Sequence, residues 1–249
     1  MEGYGSETYG DRIADVYDEW YGDPDAPDTQ AAVETLAELA AGGPVLELAV
    51  GTGRLALPLA KRGLAVHGID ASEAMLAKLR AKAGAAAVAV TVGDFADVAV
   101  EGRFSLVYVA FNTLFALQSQ DDQVRCFENV SRRLTADGVF VVEAFVPDPA
   151  RFQSGRVSVA KVELDRVRLD VTVVDPVEQR SESQHVVLEP GGVRLYPVRV
   201  RWAFPSELDL MARLAGLELR HRWAGWRREP FGPASGQHVS VYAKARSRT

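Results

Sequence analysis

Val45-Leu46-Glu47-Leu48-Ala49-Val50-Gly51-Thr52-Gly53-Arg54 reads as an apolar strand that runs into a glycine turn, with one carboxylate near the strand end. An unpaired acid in low dielectric is costly, so Glu47 needs a cationic or hydrogen-bonding partner. The strand's neighbours supply none by sequence, whereas a ligand amino group would fit. Lacking Cβ atoms, Gly51 and Gly53 let the backbone turn tightly and a ligand lie against it. Read as Gly51-x-Gly53-x-x-Ala56, the turn also matches a dinucleotide fingerprint, in which backbone N–H groups at a helix start hold a pyrophosphate. Glu47 argues against that reading, because it would repel the pyrophosphate. A second strand, Ala65-Val66-His67-Gly68-Ile69, ends in Asp70, and a third, Ala87 to Val92, runs into Gly93-Asp94-Phe95. Acids after three successive strands suit a ligand carrying an amine, a ribose diol and an adenine amine.

Around this stretch, helix and strand signals alternate over roughly the first 145 residues, the pattern of a parallel sheet with helices on both faces. Residues 29–41 carry Val33, Leu36, Leu39 and Ala40 at helical spacing and stop at Gly42-Gly43-Pro44. Helices follow over 54–62 and 74–83, the latter opened by Ser72. A fourth strand over 104–110 leads to Phe111-Asn112-Thr113. A helix over 121–134 comes next, and Gly138 introduces a fifth strand over 139–145. Beyond Pro147 the texture changes to alternating segments such as Arg166-Val167-Arg168-Leu169-Asp170-Val171-Thr172-Val173, with Pro190-Gly191-Gly192 as a hairpin turn. Residues 150–203 therefore read as an antiparallel insertion. A last helix from Pro205 through Leu214 and two strands, 217–223 and 238–243, complete the chain. The expected fold is a Rossmann-like, doubly wound α/β sheet of seven mostly parallel strands with the last one antiparallel, plus this insertion.

At 249 residues and 47% hydrophobic, the chain can bury the core of one domain spanning 1–249. A net charge of -6 with no long Lys/Arg cluster disfavours a nucleic-acid backbone as partner and favours a small molecule. The single Cys126, flanked by Val124, Phe127 and Val130, rules out an internal disulfide and reads as a buried thiol. The polar, acidic opening lacks the apolar core of a signal peptide, and no run reaches membrane-spanning length. A cytoplasmic protein without a membrane partner is expected.

From Tyr9 to Lys244 the chain resembles the class I S-adenosylmethionine-dependent methyltransferases. The resemblance places Glu47 near the methionine moiety of S-adenosyl-L-methionine and makes Ala49, Gly51 and Gly53 the Gly-x-Gly-x-Gly turn, with Ala49 departing from the usual first glycine. Arg54 follows that turn. Asp70, with Ala71 behind it, matches the acid that takes the ribose hydroxyls, and Met75 the apolar side chain packed on adenine. Asp94 with Phe95 matches the adenine-edge pair, and Phe111 lies in the loop that touches the cofactor. Asp94 also reads as a loop cap, and Ser72 as a helix N-cap. The terminal antiparallel hairpin is the family's feature, whereas dinucleotide dehydrogenases usually continue in parallel.

The opening, Tyr9-Gly10-Asp11-Arg12-Ile13-Ala14-Asp15-Val16-Tyr17-Asp18-Glu19-Trp20-Tyr21, puts Ile13, Tyr17 and Trp20 on one helical face. Such an aromatic stripe suits core packing. It also resembles the opening of aminosugar and antibiotic N-methyltransferases, which makes 1–28 a lid with Tyr9 and Tyr17 as closing residues. Catalytic roles are accordingly expected for Tyr9, Tyr17, Phe115 and Glu143. Glu143 accepts a hydrogen bond from a substrate amine or pairs with an arginine such as Arg151. Trp223, Trp226 and Phe231 add an apolar wall. His185 and His221 are the remaining base candidates, and no His/Cys spacing resembles a metal site. The insertion is either a lid or contact between copies of the chain, giving a homo-oligomer, or an edge-capping sheet. The expected activity is methyl transfer to an amine nitrogen of a small natural-product or aminosugar-like acceptor. A hydroxyl acceptor, nicotinamide-dependent redox chemistry and a non-catalytic binding homologue are the rivals.

Overall fold

The structure, a computed structural model, describes residues 1–151 and 155–245. Two helices, α1 (Thr8–Tyr21) and α2 (Pro27–Ala40), precede β1 (Val45–Leu48). Then follow α3 (Ala56–Lys61), β2 (Val66–Asp70), α4 (Glu73–Arg80), β3 (Val88–Val92), β4 (Phe104–Val109), α5 (Gln120–Arg133) and β5 (Leu134–Phe145). Strands β6 (Arg156–Val162), β7 (Val167–Asp175), β8 (Arg180–Glu189) and β9 (Gly192–Arg201) form the insertion. Helix α6 (Pro205–Leu214), β10 (Leu217–Trp223) and β11 (Gln237–Lys244) finish the chain.

The main sheet has the order β10-β11-β5-β4-β1-β2-β3. β1 pairs in parallel with both β2 and β4, and β11 runs antiparallel to both β5 and β10. The chain moves outward from β1 through β2 to β3, then returns to β4 on the other side of β1. The crevice beyond the carboxyl ends of β1 and β4 is thus the switch point at which such sheets bind ligands. Leu46, Leu48, Ile69, Val107, Phe127 and Phe140 fill one side of the sheet, and Leu36, Val45, Leu59, Leu106 and Val141 the other. Cys126 lies in the first of these layers, where burial pushes its thiol pKa up.

Several element boundaries differ from the sequence reading by a few residues: α2 begins at Pro27 and α4 ends at Arg80, and two further differences have a clear cause. α3 begins at Ala56 rather than Arg54, because Gly53 takes φ +81° and lies outside helical space. β5 begins at Leu134 rather than Val139: the chain pairs with Phe104 as soon as α5 ends, and a register shift absorbs the residues up to Gly138.

The insertion is a separate antiparallel sheet, β6-β7-β8-β9, with Pro190 and Gly191 turning β8 into β9. α1 seats between this sheet and α4, where Ile13, Ala14 and Val16 pack with Met75, Val187 and Tyr196. Among the described residues no helix is long and apolar enough to cross a membrane.

Candidate functional site

The turn after β1 is built from left-handed backbone, with Ala49 at φ +57°, Gly51 at +55° and Gly53 at +81°. A left-handed alanine costs about 1 kcal/mol, and Ala49 is held there by its surroundings. Gly51 N–H donates to Asp70 Oδ2 at 2.7 Å and Ser72 N–H donates to Asp70 Oδ1 at 2.9 Å, so the end of β2 clamps the turn. Burial raises the Asp70 pKa, and these two amides oppose that shift. Each carboxylate oxygen keeps a further lone pair for a ligand hydroxyl.

Glu47 is fully enclosed beneath this turn. Burial pushes its pKa up to about 8, against the Tyr108 phenol and the Arg54 guanidinium. Tyr108 is its register partner on β4, close enough to oppose the shift but not in hydrogen-bonding geometry. Glu47 Oε2 and the Tyr108 hydroxyl are therefore both buried without a hydrogen-bond partner among the described residues. Natural interiors rarely leave such groups unmatched. An ammonium at this point would satisfy Glu47.

Above the turn lies a cavity of about 240 Å³. It brings together nine of the expected residues: Tyr9, Tyr17, Ala49, Gly51, Asp70, Ala71, Met75, Asp94 and Phe95. Asp94 serves both of its readings, since it faces the cavity and its Oδ1 accepts the Ala96 N–H at 2.8 Å. Ser72 is the N-cap of α4, its Oγ accepting the Met75 N–H at 3.1 Å. Tyr17 is pushed up to about 12, first by burial and then by Glu47, so its phenol stays protonated. Tyr9 is raised well above its ordinary value, chiefly by burial.

Helix α1 closes the cavity and is tied down along its length. Ser72 Oγ donates to Asp11 Oδ1 at 2.6 Å, Thr52 Oγ1 donates to Asp18 Oδ1 at 2.6 Å, and Lys82 Nζ bridges Asp18 and the Thr52 carbonyl. Gly10 allows the approach, because a Cβ there would lie 2.5 Å from Ser72 Cβ. Sequence reasoning missed this anchoring, along with Tyr4, Thr113, Gln118 and Asp122, which also face the cavity. The one available signal was a glycine inside a helical pattern.

The remaining expected residues are placed elsewhere. Arg54 stacks over the Phe111 ring at 4.8 Å, and both line a second, smaller cavity with Glu143 and Trp226. Phe111 and Asn112 are consecutive left-handed residues, φ +56° and +66°. Glu143 supports this strained loop: Oε2 accepts the Phe111 N–H and Oε1 accepts Trp226 Nε1–H, both at 2.7 Å. Both oxygens thus meet donors of the protein, which neither sequence reading of Glu143 foresaw, and each keeps a further lone pair; the side chain of Arg151 lies outside the described residues. Phe115 is fully buried against Phe145, 5.0 Å between rings, and faces neither of these cavities. Trp226 both lines the second cavity and anchors Glu143. His221 stacks on Trp223 on edge strand β10. Among the described residues no group of three His, Cys, Asp or Glu is placed to hold a metal ion.

An acid for an ammonium, a clamped glycine turn, an acid for a diol and an apolar slot between Met75 and Phe95 fit an adenosine with an amino-acid tail. Comparison with known proteins agrees. Residues 45–138 match the methyltransferase domain. The chain is 30% identical over 205 residues to cypemycin N-terminal methyltransferase from Streptomyces sp., covering 80% of this chain and 82% of that one. It is 45% identical to the solved CcbJ methyltransferase from Streptomyces caelestis, with a TM-score of 0.92 over 98% of this chain and 100% of that one. The S-adenosylmethionine-bound amino pentose methyltransferase CalS10 from Micromonospora echinaspora shares the fold at 21% identity, with a TM-score of 0.69 over 92% of this chain and 97% of that one.

Proposed function

Since the chain belongs to the class I S-adenosylmethionine-dependent methyltransferases, we propose that it methylates an amine nitrogen of a small natural-product or aminosugar-like acceptor. The observation that carries the choice of nitrogen is the lining of the first cavity, which among the described residues holds the lid phenols but no histidine or lysine. Tyr17 at about 12, and Tyr9 well above its ordinary value, stay protonated and can orient a nucleophile without deprotonating it. A neutral amine needs no more than that, whereas a hydroxyl calls for a base. Likeness to an N-terminal methyltransferase supports the same choice.

The bound cofactor supplies an activated methyl group on a sulfonium. In this reading Glu47 pairs with its ammonium, Gly51 and Gly53 let its chain lie on the turn, and Asp70 takes its ribose hydroxyls. Met75 and Phe95 enclose the adenine, with Asp94 at its amine. Tyr9 and Tyr17 face the sulfonium, where an aromatic face contributes roughly 0.5–2 kcal/mol. Holding the amine on the methyl axis contributes on the order of 7–11 kcal/mol through effective concentration. Glu143 and Phe115 act indirectly by shaping the loop after β4. Residues 1–28 close the cavity, 150–203 cover its acceptor side, and the outward aliphatic face of the insertion joins copies of the chain in a cytoplasmic homo-oligomer.

Calorimetric titration with S-adenosylhomocysteine, with NAD(H) in parallel, tests the cofactor reading. Saturable binding of the first alone is expected. Methyl transfer to amines but not to their hydroxyl counterparts is the expected second result, and the reverse preference would overturn the nitrogen assignment.

A further inference from the structure

The end of the lid helix and the first hairpin of the insertion enclose a third cavity, of about 230 Å³, lined by Glu19 and Trp20 of α1 and by Lys161, Glu163, Arg166 and Arg168. Its two acids are matched to two of its cations: Glu19 Oε1 accepts from Arg166 Nη1 at 2.6 Å, and Glu163 Oε1 meets Lys161 Nζ at 2.6 Å. Glu189 stands 3.9 Å from Arg166 Nε and is held by Arg194 at 2.9 Å. Arg168 has no such acid among the described residues. Asp170, two residues along the same face of β7, is taken by His185 Nδ1 at 2.6 Å. The Arg168 guanidinium instead lies over the Trp20 ring, 4.4 Å from its centre.

That platform is rigid. Trp20 is wedged edge-on against His185 and Tyr196, with ring centres 5.9 and 5.1 Å away, so the stacked guanidinium keeps one plane. Two donors of this wall, Arg168 Nε and Arg166 Nη2, are buried and unmatched among the described residues. Interiors rarely leave donors in that state. Three cations against two acids also make the cavity net positive in a chain whose net charge is -6. The form of the missing anion follows. Two guanidinium edges suit a planar group with two oxygens, whereas Glu19 and Glu163 oppose the second charge of a phosphate dianion. The volume lies below the ~300 Å³ at which drug-sized ligands begin to fit, which suits a small organic acid.

We propose that this cavity is a binding site for a small carboxylate, held by Arg166 and Arg168, and that its occupant clamps α1 to the insertion. Glu19 and Trp20 belong to the last turn of α1, so an anion on the two arginines adds to the ties between that helix end and β7. The same helix closes the cofactor cavity through Tyr9 and Tyr17. Tyr21, whose ring packs 5.3 Å from that of Tyr17, lies in the field of Arg168. Carboxylate and cofactor therefore favour the same seating of α1, and by linkage each raises the affinity for the other. The site stands apart from the cofactor cavity, and only this coupling rests on the methyltransferase reading.

The test titrates the full-length protein by calorimetry with acetate and succinate, with acetamide and succinamide as their neutral counterparts, and with inorganic phosphate. At least one carboxylate is expected to bind about tenfold or more tightly than its amide and than phosphate. Arg168→Gln is expected to lose that preference. Glu19→Gln, which releases Arg166 from its acid at a side chain that is 54% exposed, is expected to tighten carboxylate binding, a direction that mere loosening of the fold would not produce. Saturating carboxylate is expected to strengthen S-adenosylhomocysteine binding about fivefold, and unchanged affinity overturns the clamp. No saturable carboxylate binding, equal binding of the amide or of phosphate, an unaltered preference in Arg168→Gln, or no tightening in Glu19→Gln overturns the site while the methyltransferase reading stands. Failure of the parent protein to bind S-adenosylhomocysteine would instead overturn that reading, and with it the coupling alone.

Discussion

The Gly51 N–H and the Asp70 carboxylate are joined by a 2.7 Å hydrogen bond, and this one contact couples the turn after β1 to the end of β2. The residue expected to take a ligand's ribose thus also shapes the turn on which that ligand lies. Asp70→Asn keeps an acceptor for one amide but loses the charge, and Asp70→Ala loses both. Since a hydrogen bond to a charged group contributes roughly 1.5–3 kcal/mol, Asp70→Ala should weaken S-adenosylhomocysteine by at least about tenfold, with Asp70→Asn intermediate. Calorimetry on the three proteins checks the order; equal affinities would remove Asp70 from the site.

Glu47 makes cofactor binding pH-dependent. Its pKa of about 8 in the free protein lies above its ordinary value, so at neutral pH the folded chain holds a proton that the unfolded chain does not. Stability from this group is present at low pH and is lost as pH rises from the ordinary carboxyl range through about 8. An ammonium needs the ionised form, so binding S-adenosylhomocysteine should release close to one proton near pH 6.5, and affinity should rise with pH toward 8. Titrations in buffers of different ionisation enthalpy measure the release, and Glu47→Gln should show none.

On β11, His238 is fully buried, with Nδ1 against Ser240 Oγ at 2.9 Å and Nε2 without a hydrogen-bond partner among the described residues. Burial, with Arg222 adding to it, lowers its pKa to about 4. The unfolded chain therefore binds a proton that the folded chain refuses, and stability should fall as pH drops from about 6.5 toward 4, by up to roughly 3 kcal/mol. Denaturant melts at pH 7 and pH 4.5 should show a smaller loss for His238→Gln than for the parent.

The order of strands, the glycine turn and the three acids at strand ends were legible because each rests on local rules: period, punctuation by glycine and proline, and the cost of burying a charge. Glu47 could be singled out from the apolar run around it. Glu143 could be seen as anomalous for the same reason, but not assigned. Its partners are a main-chain N–H at Phe111 and an indole from a loop 83 residues away, and no spacing announces either. Phe115 could not be placed for a related reason, since the sequence does not say which side of a short 3-10 turn packs on Phe145. The pairing of Asp170 with His185 depends on the register of β7 against β8, which long-range pairing alone fixes.

Removing the Glu143 carboxyl should be a structural injury first. Glu143→Ala leaves the buried Trp226 Nε1–H without its acceptor and frees the Phe111 N–H in a left-handed loop, at a cost of roughly 2–4 kcal/mol. For a chain of this size that corresponds to a fall in Tm on the order of 5–15 °C. Glu143→Gln keeps one amide oxygen for one of the two donors and should fall between them. Turnover measured well below the melting transition separates this role from a catalytic one: loss in proportion to the loss of folded protein fits the structural role, whereas a large fall in kcat in a fully folded Glu143→Gln would place the carboxylate at the reacting atoms.

The lid gives the sharpest contrast between binding and turnover. Tyr17→Phe keeps the ring and removes only a phenol that stays protonated, so S-adenosylhomocysteine affinity should hardly change while kcat falls. Gly10→Val should disturb both, because its Cβ alone would sit 2.5 Å from Ser72 Cβ and 3.2 Å from Met75 Cγ. The helix must then lift off α4, and the Ser72 to Asp11 hydrogen bond breaks with it. Weaker cofactor retention together with a lower kcat is the expected outcome, read by calorimetry and steady-state kinetics on the same preparations. Unchanged affinity in Gly10→Val would show that α1 closes over the site without holding what lies beneath it, and would confine the lid's part to orienting the acceptor.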